Sequence, residues 1–334
     1  MTIVIALIVF GVMIAVHEAG HLISAKLSGV LVHEFAIGMG PKIVSWQGKE
    51  TKYSIRLLPL GGFCQLEGED EESESERAFC NVSSLKKLII LASGAIMNLI
   101  LGFLVLVVFY SVQPQIAEPV VAGTIENSYA SEVGLQPGDR IVKMNDTRIN
   151  IYPDLKFFLM LNDDKAFDLT INRNGENVLY ENFMPAVIDG KVYVGIKTTV
   201  SENTFLKTVY NSYYTGFFMG KLVLFSLKEL IIGSASINEA SGPVGIVNEI
   251  GVAAKKGIQD LLYIVALITI NLGLFNLLPF PALDGGRILF VLISAIIRRK
   301  VPEKIEAAFH GTGMILLLLL MLFITFNDVI KLLG

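Results

Sequence analysis

Three titratable residues sit together inside an apolar stretch: His17, Glu18 and His21, in the run Ala-Val-His-Glu-Ala-Gly-His that ends at His21. Two histidines four residues apart share one face of a helix, with the glutamate beside them. This H-E-x-x-H spacing suits a zinc ion held by two imidazoles, with the carboxylate as general base. The surrounding residues, MTIVIALIVFGVMIAVHEAGHLISAKL, are otherwise apolar. An ionisable group at bilayer depth costs at least ~2.5–3.5 kcal/mol even on the lenient insertion scale. Coordination to a dication offsets that cost. A buried polar cluster that pairs internally is the alternative.

Catalytic zinc takes three protein ligands and a water. Asp284 is the one acid in a later apolar run, about residues 261–297, where it stands in Asn-Leu-Leu-Pro-Phe-Pro-Ala-Leu-Asp-Gly-Gly. Pro279 and Pro281 break that run, and Gly285 and Gly286 follow the acid. Non-helical backbone with a carboxylate is tolerated at membrane depth only where protein buries it or a cavity lines it. His33 lies past the end of the first apolar segment and His310 near the start of the last. Both are read as structural or interfacial.

The elements that must position these groups are membrane helices. The chain has 334 residues, 53% of them hydrophobic and 17% charged, with a mean hydropathy of +0.60. That profile excludes an ordinary soluble enzyme. The net charge is −4, and no basic block offers a surface to nucleic acid. Cys64 and Cys80 are too few for a disulfide framework. A spanning helix needs ~20 apolar residues. Four segments qualify: about 2–27, 85–112, the broken run 261–297, and 307–326. The first lacks a basic leader region and a cleavage site, so it is read as retained.

Between the first two segments, PKIVSWQGKETKYSIRLLPLGG reads as a β-hairpin and EGEDEESESER as a solvated acidic loop. Residues from about Ile116 to Thr199 form a β-rich insert with one helical stretch. Its SYASEVGLQPGDRIVKMND resembles the PDZ pattern, in the permuted order common in bacterial proteases. Phe205–Ile232 is long enough to span, yet Lys221 sits at its middle, so it competes with an interfacial amphipathic helix. Lys42, Lys49, Lys52, Arg56, Arg77, Lys86 and Lys87 mark the first loop as cytoplasmic, and Arg298, Arg299, Lys300 and Lys304 the last. The N-terminus and the insert then face outward. His17 and His21 lie past the middle of an inward-running helix. Asp284 shares their depth if its segment runs the same way, which requires Phe205–Ile232 not to span.

With these motifs in place, the chain resembles the site-2 protease family of intramembrane zinc metalloproteases, in its bacterial branch that cleaves anti-sigma factors. HEAGH and NLLPFPALDGG are similar to that family's two catalytic signatures. FAIGMGP and RLLPLGGF match its membrane-associated loop, and SGPVGI a stretch before its third helix. The second helix departs from the branch's Gly-Pro-x-x-Asn, reading Gly94-Ala-Ile-Met-Asn98, and one PDZ-like domain replaces the tandem pair of some relatives.

The resemblance implies the following expectations. Residues 1–112 form a first membrane part, 115–200 an extracytoplasmic PDZ-like domain, 205–257 an interfacial helix and linker, and 258–334 a second membrane part. The fold is a mainly α polytopic membrane protein of about four spanning helices with a membrane-associated β-hairpin. His17, His21 and Asp284 hold Zn2+, and Glu18 is the base. Asn276, Asn98, Gly61 and Gly62 contact substrate, the hairpin receiving it as an added strand. For Asn276, helix–helix hydrogen bonding is an equal alternative. The partners are single-span membrane proteins and the bilayer of a bacterial cytoplasmic membrane, with the active site toward the cytoplasm. The PDZ-like domain acts as a size filter, with peptide binding at Tyr193–Ile196 as its rival. A PDZ-containing scaffold with a non-catalytic metal site is the competing function. Glu18 argues against it, because a structural zinc needs no base.

Overall fold

A computed structural model describes residues 2–69, 73–162, 164–234, 241–299 and 301–333. Residues 70–72 of the acidic loop, and Lys300, lie outside these. The chain divides into two compact units, one of residues 1–106 with 219–334 and one of residues 107–218.

The first unit is built on helices: α1 (Thr2–Leu27), α2 (Ser84–Ser111), α6 (Pro243–Lys256), α7 (Ile258–Leu277), α8 (Asp284–Ile297) and α9 (Glu303–Leu333). Four are long and apolar enough to cross a bilayer: α1, α2, α7 and residues 304–331 of α9. At a rise of ~1.5 Å per residue each reaches across a hydrocarbon core of about 30 Å. Helices suit these sequences because lipid offers no partner for backbone N–H and C=O groups. Large side chains such as Ile8, Ile100, Leu104 and Leu322 point away from the protein, an arrangement that water would penalise and acyl chains do not.

Helix α6 falls within residues expected to be linker. At 14 residues, opened by Pro243 and closed by Gly257, it is too short and too mixed to stand out by hydropathy. Tertiary contacts hold it. Its Ile250, Gly251 and Ala253 are buried. A Cβ on Gly251 would stand 2.2 Å from Thr2 Cγ2, so α6 rests on the first residue of α1. Since α7 begins two residues after α6 ends, α1 and α7 start at the same end and run the same way. The buried carboxylate of Asp328, near the far end of α9, accepts the Gly245 N–H at 2.8 Å. It caps an α6 N-terminus that has no side-chain cap of its own.

The hairpin is longer than expected: β1 (Val32–Gln47) pairs antiparallel with β2 (Lys52–Leu66). Its root is drawn into the core, where Val32 and Leu66 join Ala25, Val30, Phe79, Ile90 and Leu91. Alternation alone does not reveal that anchoring. Glu34 is tied to Ser54 (2.7 Å), Arg56 (2.9 Å) and Lys42 (3.1 Å). Burial pushes its carboxyl upward, but these three donors outweigh that and hold it at about 2. Toward the tip, Met39, Ile43, Val44 and Trp46 are exposed.

The second unit carries β3 (Gln115–Thr124), α3 (Tyr129–Glu132), β4 (Arg140–Met144), β5 (Thr147–Arg148), α4 (Tyr152–Leu161), β6 (Phe167–Arg173), β7 (Glu176–Phe183), β8 (Ala186–Ile188), β9 (Lys191–Tyr193) and β10 (Ile196–Glu202). The main sheet runs β10-β3-β4-β6-β7, all neighbours antiparallel, with β5 against β4. Ile141, Met144, Leu169, Ile171 and Phe183 of the strands meet Leu155 and Leu159 of α4 in its core. The turn Gln136-Pro-Gly-Asp139 is locked from outside. Asp139 takes both Nε and Nη2 of Arg173 at 2.7 Å and the Gln136 N–H at 2.8 Å. The Arg173 guanidinium holds the Asp139 carboxyl below its ordinary range. The run Tyr193–Ile196, expected as one strand, is instead divided between β9 and β10. Gly195 bends there at φ +85°, and a Cβ on it would strike Ser128 Cβ at 2.8 Å. Helix α5 (Phe205–Ile232) has 28 residues but is not among the four helices long and apolar enough to span.

Candidate metal centre

Helices α1 and α2 approach through small and hydroxyl side chains, as membrane helices do. Ser24 Oγ and Ser93 Oγ are 2.8 Å apart across the contact. On α2, Ile90, Gly94 and Asn98 recur every four residues and so share a face. That face lies against His21 and His17.

His17 Nε2 and His21 Nε2 are 3.2 Å apart. Asp284 Oδ2 lies 3.2 Å from the first and 3.4 Å from the second. Three ligand atoms on a tetrahedral ion with bonds of ~2.0–2.1 Å would stand about 3.3 Å from one another. The observed triangle has that size. The two imidazoles and the carboxylate are 12–20% exposed, and Asp284 Oδ2 is buried without a hydrogen-bond donor. Two imidazole nitrogens and a carboxylate oxygen converging at this spacing suit a dication. Among the described residues, this is the one group of histidine, cysteine and carboxylate side chains close enough to hold a metal.

Each ligand is aimed by something behind it. His21 Nδ1–H donates to the Ile90 carbonyl at 2.8 Å, so in the neutral ring Nε2 carries the lone pair that faces the centre. Asp284 opens α8. Helix α7 ends at Leu277 because Pro279 pushes Leu278 into extended backbone (ψ 145°). The chain then folds back so tightly that a Cβ on Gly285 would stand 2.0 Å from the Leu278 carbonyl oxygen. Ala282, at φ +66°, donates its N–H to His310 Nδ1 at 3.0 Å. His310 therefore braces the turn that carries Asp284. His33 pairs with Glu67 at the root of the hairpin. One helical turn past Asp284, Arg287 pairs with Glu69 of the loop that follows β2.

The remaining candidates separate. Gly62 lies against the base: a Cβ there would stand 2.9 Å from Glu18 Cγ and 3.0 Å from Ile14 Cγ2. Gly61 instead faces Met39. Asn98 is fully buried, its Nδ2 3.3 Å from His17 Nδ1. Asn276 is half-buried in the last turn of α7 and makes no side-chain hydrogen bond among the described residues.

Gly94 is a site residue that sequence reasoning passed over. A Cβ on it would stand 2.3 Å from His21 Nε2 and 2.9 Å from His17 Nε2. The available signal was weak: a glycine inside a long apolar helix, where it costs ~1 kcal/mol relative to alanine and so hints at a packing reason.

Comparison with known proteins identifies the family. The family model of peptidase family M50 matches residues 5–320. A protein of Clostridium acetobutylicum named as a zinc metalloprotease is 39% identical over 98% of this chain and 97% of its own length. One from Clostridium perfringens with the same kind of name is 37% identical over 99% of both. The regulator of sigma-W protease RasP of Bacillus subtilis is 30% identical, again over 99% of both chains.

Proposed function

We propose, for a chain that belongs to peptidase family M50, the site-2 protease family, and is a multi-pass membrane zinc metalloprotease, that it cuts single-span membrane proteins within or near their membrane segment. Anti-sigma factors and signal-peptide remnants are the substrate kinds that the family resemblance implies. The observation that carries the reading is the triangle of His17, His21 and Asp284, sized for one tetrahedral ion.

His17, His21 and Asp284 hold the metal. A zinc ion held there would supply Lewis-acid polarisation of the scissile carbonyl and acidify the attacking water. Glu18 would take a proton from the attacking water as its oxygen bonds to the carbonyl carbon, and would return that proton to the amine as the C–N bond breaks. A substrate helix hides its carbonyls in its own hydrogen bonds, so it must unwind before attack. Gly62 brings the backbone of β2 beside Glu18, which supports capture of the unwound segment by strand addition near the base. Asn276 is placed, by family resemblance, to bond the extended main chain. The exposed apolar tip of the hairpin supports its membrane association.

The common direction of α1 and α7 supports the topology as well. Helix α2 returns to the end where α1 began, so a single crossing by α5 would start α7 at the wrong end. Helix α5 is therefore interfacial. Lys26, Lys86, Lys87, Arg298 and Arg299 gather at the ends nearer the metal site, which supports a cytoplasmic location for that side. The β-rich second unit, with its Pro-Gly-Asp turn and permuted strand order, is a PDZ-like extracytoplasmic domain that screens substrates by size.

Two experiments test this. In a background lacking Cys64 and Cys80, single cysteines at Glu202 and at Glu229 should both react with an impermeant thiol reagent from outside the cell. Reaction at 229 only after permeabilisation would mean that α5 crosses the membrane. In purified protein, Asp284→Asn should lose zinc and reporter cleavage together, whereas His33→Ala keeps a full equivalent of metal. Full zinc in Asp284→Asn would remove Asp284 from the ligand set.

A further inference from the structure

We infer that Asn98 is the positioning residue that fixes the tautomer of His17, its side-chain carbonyl accepting a hydrogen bond from His17 Nδ1–H. This rests on the proposed zinc site and concerns the chain's own residues behind it.

The two histidines are aimed differently. Behind His21 stands a backbone acceptor, the Ile90 carbonyl, 2.8 Å from Nδ1. Behind His17 stands a side chain, Asn98, eight residues along the same face of α2. Its Nδ2 is 3.3 Å from His17 Nδ1, while its Oδ1 is buried with no partner among the described residues. Asn98 is 0% exposed, so solvent does not satisfy that oxygen.

For Nε2 of His17 to point a lone pair into the triangle, the proton of the neutral ring must sit on Nδ1. An N–H then faces an NH2 group, two donors without an acceptor, and the carbonyl oxygen on the other arm of the same carboxamide is stranded. The two ends of a carboxamide are nearly isosteric, and a half-turn about χ2 exchanges them. After that half-turn Oδ1 accepts from His17 Nδ1–H, which gives the ring N–H an acceptor and the oxygen a donor, and the NH2 group takes the position the oxygen held. The same helix then supplies an acceptor to each imidazole, Ile90 to His21 and Asn98 to His17, with Gly94 midway between them. In this role Asn98 faces the ligand from behind and does not contact substrate.

Ligand-orienting partners of this kind typically change metal affinity about 10–100-fold when removed. The test uses the full-length protein in detergent, stripped of metal and titrated with Zn2+ against a chromogenic chelator, with the Co2+ ligand-field spectrum as a second readout. Asn98→Asp keeps the size and only acceptors. It should bind zinc more tightly than the apolar variants below and keep the Co2+ bands of the unaltered protein. Asn98→Leu keeps the bulk without an acceptor, and should bind about 10–100-fold more weakly with altered bands. Asn98→Ala serves the same purpose if the leucine variant does not fold. Unaltered affinity in both apolar variants overturns the inference, and so does an aspartate variant as weak as they are. If the unaltered protein itself holds no zinc through His17, His21 and Asp284, the zinc reading fails before this one is reached.

Discussion

Gly94→Ala is expected to abolish zinc binding and proteolysis while leaving the protein folded. Alanine is favoured over glycine in a helix by ~1 kcal/mol, so by propensity alone the change is neutral or stabilising. The site reverses that expectation. The new methyl would stand 2.3 Å from His21 Nε2 and 2.9 Å from His17 Nε2, against both ligand atoms. The His21 ring does not yield freely, because its Nδ1–H is held by the Ile90 carbonyl at 2.8 Å. Relief requires either loss of that bond or separation of α1 from α2, whose contact includes the Ser24–Ser93 pair. Zinc affinity should fall by at least the ~10–100-fold typical of a misplaced ligand shell, and reporter cleavage should fall with it. Metal content after dialysis and the thermal unfolding midpoint are the two measurements. A variant that holds a full equivalent of zinc would show that α2 does not approach the ligands as closely as the structure places it.

Glu18→Gln should separate binding from chemistry. Glu18 belongs to the same helix as His17 and His21, yet it is not a corner of the ligand triangle. Glutamine has nearly the same shape but does not take a proton from water. General base catalysis contributes ~10²–10⁴-fold to such rates. Zinc stoichiometry should therefore stay at one while turnover of a single-span reporter in reconstituted vesicles drops by about that factor or more. Retained turnover near that of the unaltered protein would remove Glu18 from the mechanism. Lost zinc would instead make it a ligand. The variant also identifies substrates, since single-span proteins left uncleaved in cells that carry it are the ones the enzyme normally cuts.

Two glycines make room at this centre. Gly94 keeps space open behind the imidazoles, and Gly62 keeps β2 close to the base, 2.9 Å from Glu18 Cγ by the position its Cβ would take. Both are defined by what they lack, so neither announces itself as chemistry when read as a letter in a chain.

Much of this protein was legible from sequence because the bilayer leaves few options. Long apolar runs in lipid must be helices, which placed the spanning segments. A histidine pair at helical spacing inside such a run is costly without an ion, which singled out His17, Glu18 and His21. The isolated acid at a proline break singled out Asp284. What only the tertiary structure decided are matters of approach between segments far apart in the chain. The triangle joins residues 17 and 21 to residue 284. Helix α6 exists because Thr2 and Asp328 hold it, not because its own residues favour it strongly. The hairpin extends back to Val32 because its root is buried. The strand expected at Tyr193–Ile196 breaks because Ser128 requires a glycine bend there. Local composition reports what a segment must avoid in lipid or water. Which backbone lies within 3 Å of which side chain depends on the packing of all the segments at once.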